Sequence, residues 1–449
     1  MGRITLAEAA KWCGGRVDPK YAEVTFLGAN NDSRKILPGQ LFLALQGVRD
    51  GHDFIPMALQ KGASAVLCTH CDGDYPAIVV EDVRIALGQI ATGERQRIGM
   101  KVVGVTGSVG KSTTKEMISC VLGAKYRVAK TPENHNNDIG MPMAVLSIPE
   151  DTEVAVLEMG MNHVREIAYL TNIAKPDAAV IINIGTMHIE HLGSQEGILK
   201  AKLEIAEGMN DDGELILNGD DVYLLKAPGM VSQRVTYFGT RENSQVRGCD
   251  VREDAGISYR VCCGEETFGI ELPVEGLHHV PDSLAAVAVG LKLGVEPEKI
   301  AYALAHFRNM EGRQEIFETK GFTIIKDCYN AGPESMAAAL AVLGKRKGRK
   351  IAVLGDMLEL GINAEAEHYR VGRIAAENAD LLFTYGPNGT RIISGAVTGG
   401  MTKVYSFDTH AALASELKRL ARPGDTLLFK GSHGMHMEVP LELFLKDET

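Results

Sequence analysis

The sequence predicts an α/β protein of three units, the central one built on a doubly wound parallel sheet, and three observations predict it. The chain has 449 residues, and at roughly 100 to 200 residues per domain that length gives about three domains with a substantial core. Hydrophobic residues make up 45% and charged residues 23%, with 49 Gly, the profile of a soluble α/β protein and not of a disordered or collagenous chain. Short apolar runs alternate with helical patterns twice over, from about residue 99 and again from about residue 311.

Residues 1–98 read as a small α/β module. Apolar runs at 40–45, 65–68 and 77–80 accompany a helix-like stretch at 54–61 that Gly62 ends. Residues 99–310 open with Val102, Val103 and Val105, a Gly-rich turn and a helical pattern over 112–122 stopped by Gly123. Runs at 154–157 and 178–182 are buried-strand candidates, the run 283–293 is helical, and Pro297 opens another helix. Residues 311–449 form a separate, Rossmann-like βαβ unit. Strands are predicted at 323–325, 351–354, 381–384, 404–407 and 426–429, with helices at 333–343, 364–378 and 410–420.

Lys plus Arg is 47 and Asp plus Glu is 58, so the net charge is −11 and there is no global attraction to phosphate backbones, which disfavours a nucleic-acid binder. The apolar runs are far shorter than the ~20 residues of a bilayer span, and the N-terminus lacks a signal-peptide apolar segment; a cytoplasmic protein with no membrane span is expected. The 8 Cys form no regular framework, which points to free buried thiols and not to disulfides or zinc. The basic run 344–350 reads as a loop before a strand.

The segment from Gly104 to Thr114 is a glycine-rich loop ending in Gly110-Lys111-Ser112, between a strand and a helix. Gly107 and Gly110 let the backbone wrap an anion so that N–H groups and a helix N-terminus face it. Lys111 adds a point charge and Ser112 a hydroxyl suited to Mg²⁺. The strict GxxxxGK[ST] pattern is not met, because its first position falls on Val105; the strand–loop–helix context carries the nucleotide-binding reading. Glu158 ends the apolar run 154–157, at the sheet edge where ligands of open α/β sheets bind, and is a candidate Mg²⁺ ligand. Asn183 to Ser194 follow the next buried run and bring His188, Glu190 and His191 to the same edge. That spacing lacks the helical HExxH separation of zinc sites, and oxygen ligands beside a nucleotide favour Mg²⁺, with His188 a metal-site residue. Lys200 and Lys202 lie on a predicted helix where spacing alone assigns them no role. The amide-rich segment 131–140 reads equally as a substrate contact or a turn.

These motifs resemble the ATP-dependent Mur ligases of bacterial cell-wall synthesis, and the resemblance runs through all three units. The family's T-G-S-x-G-K-[ST]-T-T-K-E-M loop is similar to Thr106 to Met117, its N-x-N-N-x-I-G-x-P segment to Asn134 to Pro142, and its E-M-G-M to Glu158 to Met161. Its N-x-G-x-x-H-x-E-x-x-G-S pattern is similar to Asn183 to Ser194. In the third unit Gly312 to Glu315, Asp327 to Ala331, Val353 to Gly361 and Lys430 to Ser432 resemble the members that add D-alanyl-D-alanine. In the first unit Asp32-Ser33-Arg34 and Asp50 to Phe54 are similar to segments that bind a UDP-sugar.

The resemblance implies a UDP-sugar substrate domain at 1–98, an ATP-binding domain at 99–310 and a C-terminal Rossmann-like domain at 311–449. It implies ATP contacts from Thr106, Gly107, Ser108, Val109, Gly110, Lys111, Ser112, Thr113, Arg313, Asp327, Tyr329 and Asn330. Mg²⁺ placement falls to Ser112, Glu158, His188 and Lys202, the last as a carbamate; Lys111, Lys202 and His188 are the implied catalytic residues. Substrate contacts are implied for Ser33, Arg34, Asp50, His52, Asn134, Asn136 and Asn137. The implied reaction joins D-alanyl-D-alanine to UDP-N-acetylmuramoyl-tripeptide through an acyl phosphate, with ATP and Mg²⁺, in a cytoplasmic monomer. Asp282 replaces Asn of the family's H-N-V-x-N, Gly332 replaces Asn of N-A-N-P, and His433 replaces Arg of G-S-R. The alternatives are a ligase adding a single amino acid to a UDP-muramyl peptide, or glutamate to folate, and a nucleotide-binding switch protein.

Overall fold

The computed structural model describes residues 4–132 and 134–446; the outermost residues of the first and third units, and Glu133 of the amide-rich segment, lie outside it. A parallel sheet of four strands, Ala29–Asn30, Leu41–Leu43, Ala65–Cys68 and Ala77–Val79, carries the N-terminal unit, beside a small antiparallel pair, Ile4–Thr5 with Thr25–Phe26. The expected helix at 54–61 splits into a 3₁₀ turn, Gly51–Phe54, and a helix, Ile55–Gln60. Pro56 explains the break, since it removes one N–H and is tolerated only in a first turn. The helix Val83–Ile98 leads on to the central unit. It shares one continuous apolar cluster with that unit, from Ile4 through Ile90 and Leu170 to Ala227, and Arg95 donates to the carbonyls of Ala174 and Lys175.

The central sheet has nine strands in the order Glu266–Leu272, Ile257–Cys263, Val246–Glu253, Arg234–Gly239, Glu214–Asn218, Ala178–Ile181, Lys101–Thr106, Val154–Glu158 and Val128–Lys130. Seven form a continuous parallel run, and the two at the 257–272 edge are joined by antiparallel pairings. That antiparallel extension is absent from the sequence expectation. Its strands alternate buried and exposed residues instead of forming apolar runs, as a half-solvated sheet requires. Lys101–Thr106, Val154–Glu158 and Ala178–Ile181 are buried almost throughout. They lie side by side, with the chain crossing from one side of Lys101–Thr106 to the other, so the three loops beyond their C-terminal ends meet at the switch point.

The third unit is a six-stranded sheet in the order Glu315–Thr319, Phe322–Asp327, Thr426–Lys430, Lys350–Gly355, Leu381–Tyr385 and Val404–Phe407, parallel except at its first pair. A helix unmarked by the sequence pattern, Gly389–Thr398, supplies the crossover before Val404–Phe407. Its glycines obscured it. A Cβ at Gly395 would stand 2.0 Å from the carbonyl oxygen of Tyr369, and one at Gly372 would stand 1.9 Å from that of Ile392, so both glycines serve close helix packing and not a turn. All eight cysteines are free, as expected, but only Cys68 and Cys328 are buried. Among the described residues no helix is long and apolar enough to cross a membrane.

Candidate active site

The strand Lys101–Thr106 runs into the glycine loop and then the helix Lys111–Gly123, one residue longer at its start than the pattern predicts. Gly110 caps that helix at φ 87°, where a side chain would be strained; a Cβ there would also meet Asp282 Oδ1 at 2.7 Å. Asn183 pins the loop, its Oδ1 accepting from the Ser108 and Val109 N–H groups at 3.0 and 2.9 Å and its Nδ2 donating to the Val109 carbonyl at 2.9 Å. Lys111 folds back, Nζ donating to the carbonyls of Gly107 and Ser108 at 2.9 and 3.3 Å. Burial pulls its pKa below the ordinary lysine value, so an incoming anion would relieve an amine now held only by neutral oxygens.

Glu158, 2% exposed, is the centre of the polar contacts. Its Oε2 accepts from Ser112 Oγ at 2.8 Å and lies 3.6 Å from Lys115 Nζ, and its Oε1 accepts from Asn136 Nδ2 at 2.8 Å. Lys115 is fully buried and donates to the Thr131 carbonyl at 2.8 Å, while Thr131 Oγ1 accepts from the Glu158 N–H. A buried carboxylate survives by such partners; breaking a pair of this kind costs about 3–5 kcal/mol. Sequence reasoning assigned nothing to Lys115 or Thr131, although Lys115 stands inside the quoted loop motif.

His188 takes a left-handed backbone, φ 62°. Its Nδ1 lies 2.8 Å from Oε2 of Glu359 in the third unit, close enough for an ion pair but out of hydrogen-bond alignment. Burial, then Lys111 and Lys202, push its pKa down to about 4, leaving a neutral imidazole at neutral pH, the form that ligates metals. Lys202, on the helix Gln195–Leu203, is 2% exposed. Desolvation and then Lys111 hold its pKa well below the ordinary value.

The third unit closes the site. Arg313 Nη2 donates to Ser112 Oγ at 2.8 Å, and its guanidinium lies 3.8 Å over the Tyr329 ring. Asp327 accepts from Lys430 Nζ at 2.6 Å, Asn330 Oδ1 accepts from the Ala331 N–H, and Lys430 also donates to the Asn330 carbonyl at 3.0 Å. Glu334 Oε1 accepts from the N–H and hydroxyl of Thr186 at 3.2 and 3.0 Å. These groups surround a cavity of about 640 Å³ whose lining includes Lys111, Glu158, His188, Arg313 and Glu334, inside the range of ~300–1,000 Å³ usual for small-molecule sites. Asn134, Asn136 and Asn137 line it too, as do Asp327, Tyr329 and Asn330.

Among the described residues no three His, Cys, Asp or Glu groups converge as a ready metal site. The donor set nevertheless suits Mg²⁺ arriving with a nucleotide. Ser112 Oγ and the Glu158 carboxylate are adjacent hard oxygens beside a phosphate loop. Arg313 now donates to that same hydroxyl, so metal ligation by Ser112 requires its displacement.

The four N-terminal candidates do not line the cavity. Asp50 caps the Gly51–Phe54 turn, accepting from the His52 N–H at 3.0 Å and lying 2.6 Å from its Nδ1. His52 Nε2 accepts from the Thr69 N–H, and the ring stacks on His70 at 4.1 Å. Ser33 Oγ donates to Met57 Sδ, and Arg34 makes a fork on Asp32. The departures from the family pattern find structural partners. Asp282 accepts from Thr114 Oγ1 at 2.9 Å, His433 tilts against Tyr329 with centroids 6.0 Å apart, and Gly332 leaves room for Met187, whose Cγ would stand 2.9 Å from a Cβ there.

Three family patterns match: the Mur ligase middle domain over residues 105–290, the Mur ligase glutamate ligase domain over 312–433, and the Mur ligase family catalytic domain over 23–95. UDP-N-acetylmuramoyl-tripeptide–D-alanyl-D-alanine ligase of Bacillus subtilis (strain 168) is 42% identical, covering 96% of each chain. The protein of the same name from Escherichia coli (strain K12) is 34% identical, covering 98% of this chain and 97% of that one. Among solved structures, MurF from Acinetobacter baumannii superposes with a TM-score of 0.92 at 30% identity, covering 100% of both chains. The MurF ligase from Thermotoga maritima in complex with ADP gives 0.83 at 30% identity, covering 93% of this chain and 97% of that one.

Proposed function

The chain belongs to the Mur ligase family, and on that premise we propose that it joins D-alanyl-D-alanine to UDP-N-acetylmuramoyl-tripeptide with hydrolysis of ATP to ADP. The observation that carries the reading is the single cavity into which the phosphate loop, Glu158, His188 and third-unit Arg313 and Asp327 converge. The names of relatives matched nearly end to end supply the substrates.

Lys111 and the amides of the loop hold the phosphates, and Arg313 brings a second cation from the facing domain. Transfer between two anions, a carboxylate and ATP, depends on such neutralisation, with little covalent chemistry by the protein. The peptide carboxylate attacks the γ-phosphorus and ADP leaves; the amine attacks the resulting acyl phosphate and phosphate leaves. Ser112, Glu158, His188 and Lys202 would hold Mg²⁺, which supplies further charge neutralisation when bound. Lys202 suits its implied modification, since burial disfavours its charged form and a free amine can add to CO₂, giving a carbamate and releasing a proton. Asn134, Asn136 and Asn137 face the substrate side, and Ser33, Arg34, Asp50 and His52 shape the UDP-sugar loops. Seating of the third domain over the cavity excludes water from the labile acyl phosphate.

The proposal extends to a monomeric cytoplasmic enzyme; light scattering on the purified protein checks the first of these. Phosphate release from ATP with Mg²⁺ tests the reaction, with the UDP-tripeptide alone, the dipeptide alone and both together. Release only with both supports the dipeptide ligase, and release driven by a single amino acid in place of the dipeptide would replace it.

A further inference from the structure

Glu334 is an acid of the third domain that reaches across the interface into the phosphate-loop surroundings with a buried oxygen to spare. It stands in the first turn of the helix Pro333–Gly344. Oε1 is committed to Thr186, and through that segment to the loop, because the neighbouring Gly185 N–H donates to Ser108 Oγ at 2.9 Å. Oε2 is buried and has no hydrogen-bond partner among the described residues, though the side chain lines the cavity. A buried carboxylate oxygen without a donor is costly, and the cavity's occupants are the natural source of one.

We propose that Glu334 Oε2 receives the ammonium group of the incoming amine and takes a proton from it. This rests on the ligase reading above. Of the three reacting groups, the γ-phosphate and the peptide carboxylate are anionic, and a carboxylate beside the phosphate site repels them; the amine alone is cationic. An α-ammonium group titrates near 8, so at neutral pH it is mostly protonated and has no lone pair for attack. Transfer of one proton to Glu334 leaves a neutral amine and a neutral carboxyl group. The nitrogen lone pair then forms the C–N bond, the C–O bond to phosphate breaks, and the second amine proton leaves with the phosphate. Glu334 returns its proton to solvent. Thr186 holds the carboxylate in register with the loop, so the amine is presented to the end of the cavity where the acyl phosphate forms.

The test is Glu334→Gln in the full-length enzyme, with KM measured separately for ATP, the UDP-tripeptide and the dipeptide across pH 6.5 to 9.5. Loss of one charge-assisted contact predicts a rise of about tenfold or more in KM for the dipeptide alone. It also predicts recovery of kcat/KM toward wild type at high pH, where the free amine no longer needs a base. Glu334→Asp, which keeps the charge, should retain part of the low-pH activity, and unchanged thermal midpoints would show that folding is not the cause. A rise in KM for ATP instead would assign the oxygen to a ribose hydroxyl and overturn the proposal. So would a uniform loss with no pH recovery, or no loss at all. Wild-type enzyme that ignores the dipeptide would sink the ligase reading itself, a separate result.

Discussion

Glu158 and Asp50 are both carboxylates beside loops that the family resemblance marks as functional, yet their surroundings differ. Around Glu158 the buried groups leave potential unspent. Among the described residues Lys111 hydrogen-bonds only to carbonyls, the Arg313 Nε, His279 Nε2 and Glu334 Oε2 atoms lack hydrogen-bond partners, and all four residues face one cavity. Around Asp50 the polar atoms answer one another: Asp50 with His52, His52 with Thr69, Arg34 with Asp32. A site waiting for a ligand carries unsatisfied groups, whereas a loop that presents its shape satisfies its own. The first region is therefore the place where substitutions change chemistry, and the second the place where they change a surface.

The sharpest way to break that comparison is Lys111→Ala, which should lower ATP-dependent phosphate release on the order of 10³-fold without lowering the thermal midpoint; retained activity would remove the phosphate-loop assignment. Lys202→Ala should cost on the order of 10²-fold, and added acetate, a free carboxylate able to enter the space left, should restore part of it. No rescue, with an unmodified lysine in the active wild type, would count against the carbamate.

The regions should also separate under acid. His188 has a folded pKa of about 4 against 6.5, so the unfolded chain binds the additional proton and stability falls as pH drops from 6.5 through 4. Asp32 changes in the same direction over a lower window: its fork with Arg34 pulls its pKa to about 2, so its contribution is present above 3.8 and is lost as pH falls from there through 2. Urea midpoints at pH 4.5 and 7 should show the His188 slope in wild type and a shallower one in His188→Asn; equal slopes would refute its origin in that ring. The smallest effect is expected from Asp50→Ala, which removes the cap of the Gly51–Phe54 turn and should raise KM for the UDP-tripeptide while leaving KM for ATP unchanged.

Much of the site was legible because its residues sit where a buried apolar run stops. The apolar runs 154–157 and 178–182 announce themselves by composition, and the polar residue after each, Glu158 and Asn183, is forced to the sheet edge. Lys202 was legible only through the family, since a lysine on a helix is normally solvated and nothing local says that this one is buried. Glu334 and Glu359 escaped for another reason: each acts across a domain boundary, on Thr186 and His188, and no periodicity within either unit encodes that meeting. The 246–272 edge strands escaped because one face stays wet and their alternation is weak.

Two glycines of the third domain share one seam with the segment that carries His188. Met187 fills the space that a side chain at position 332 would need, and Glu190 does the same at Gly361, where a Cβ would stand 2.9 Å from its own Cβ. Restoring asparagine at 332 therefore requires the Met187 side chain to move or residue 187 to shrink with it. Grafting the third domain of a relative onto this chain has to carry both sides of the seam, for position 332 can be inherited only together with position 187.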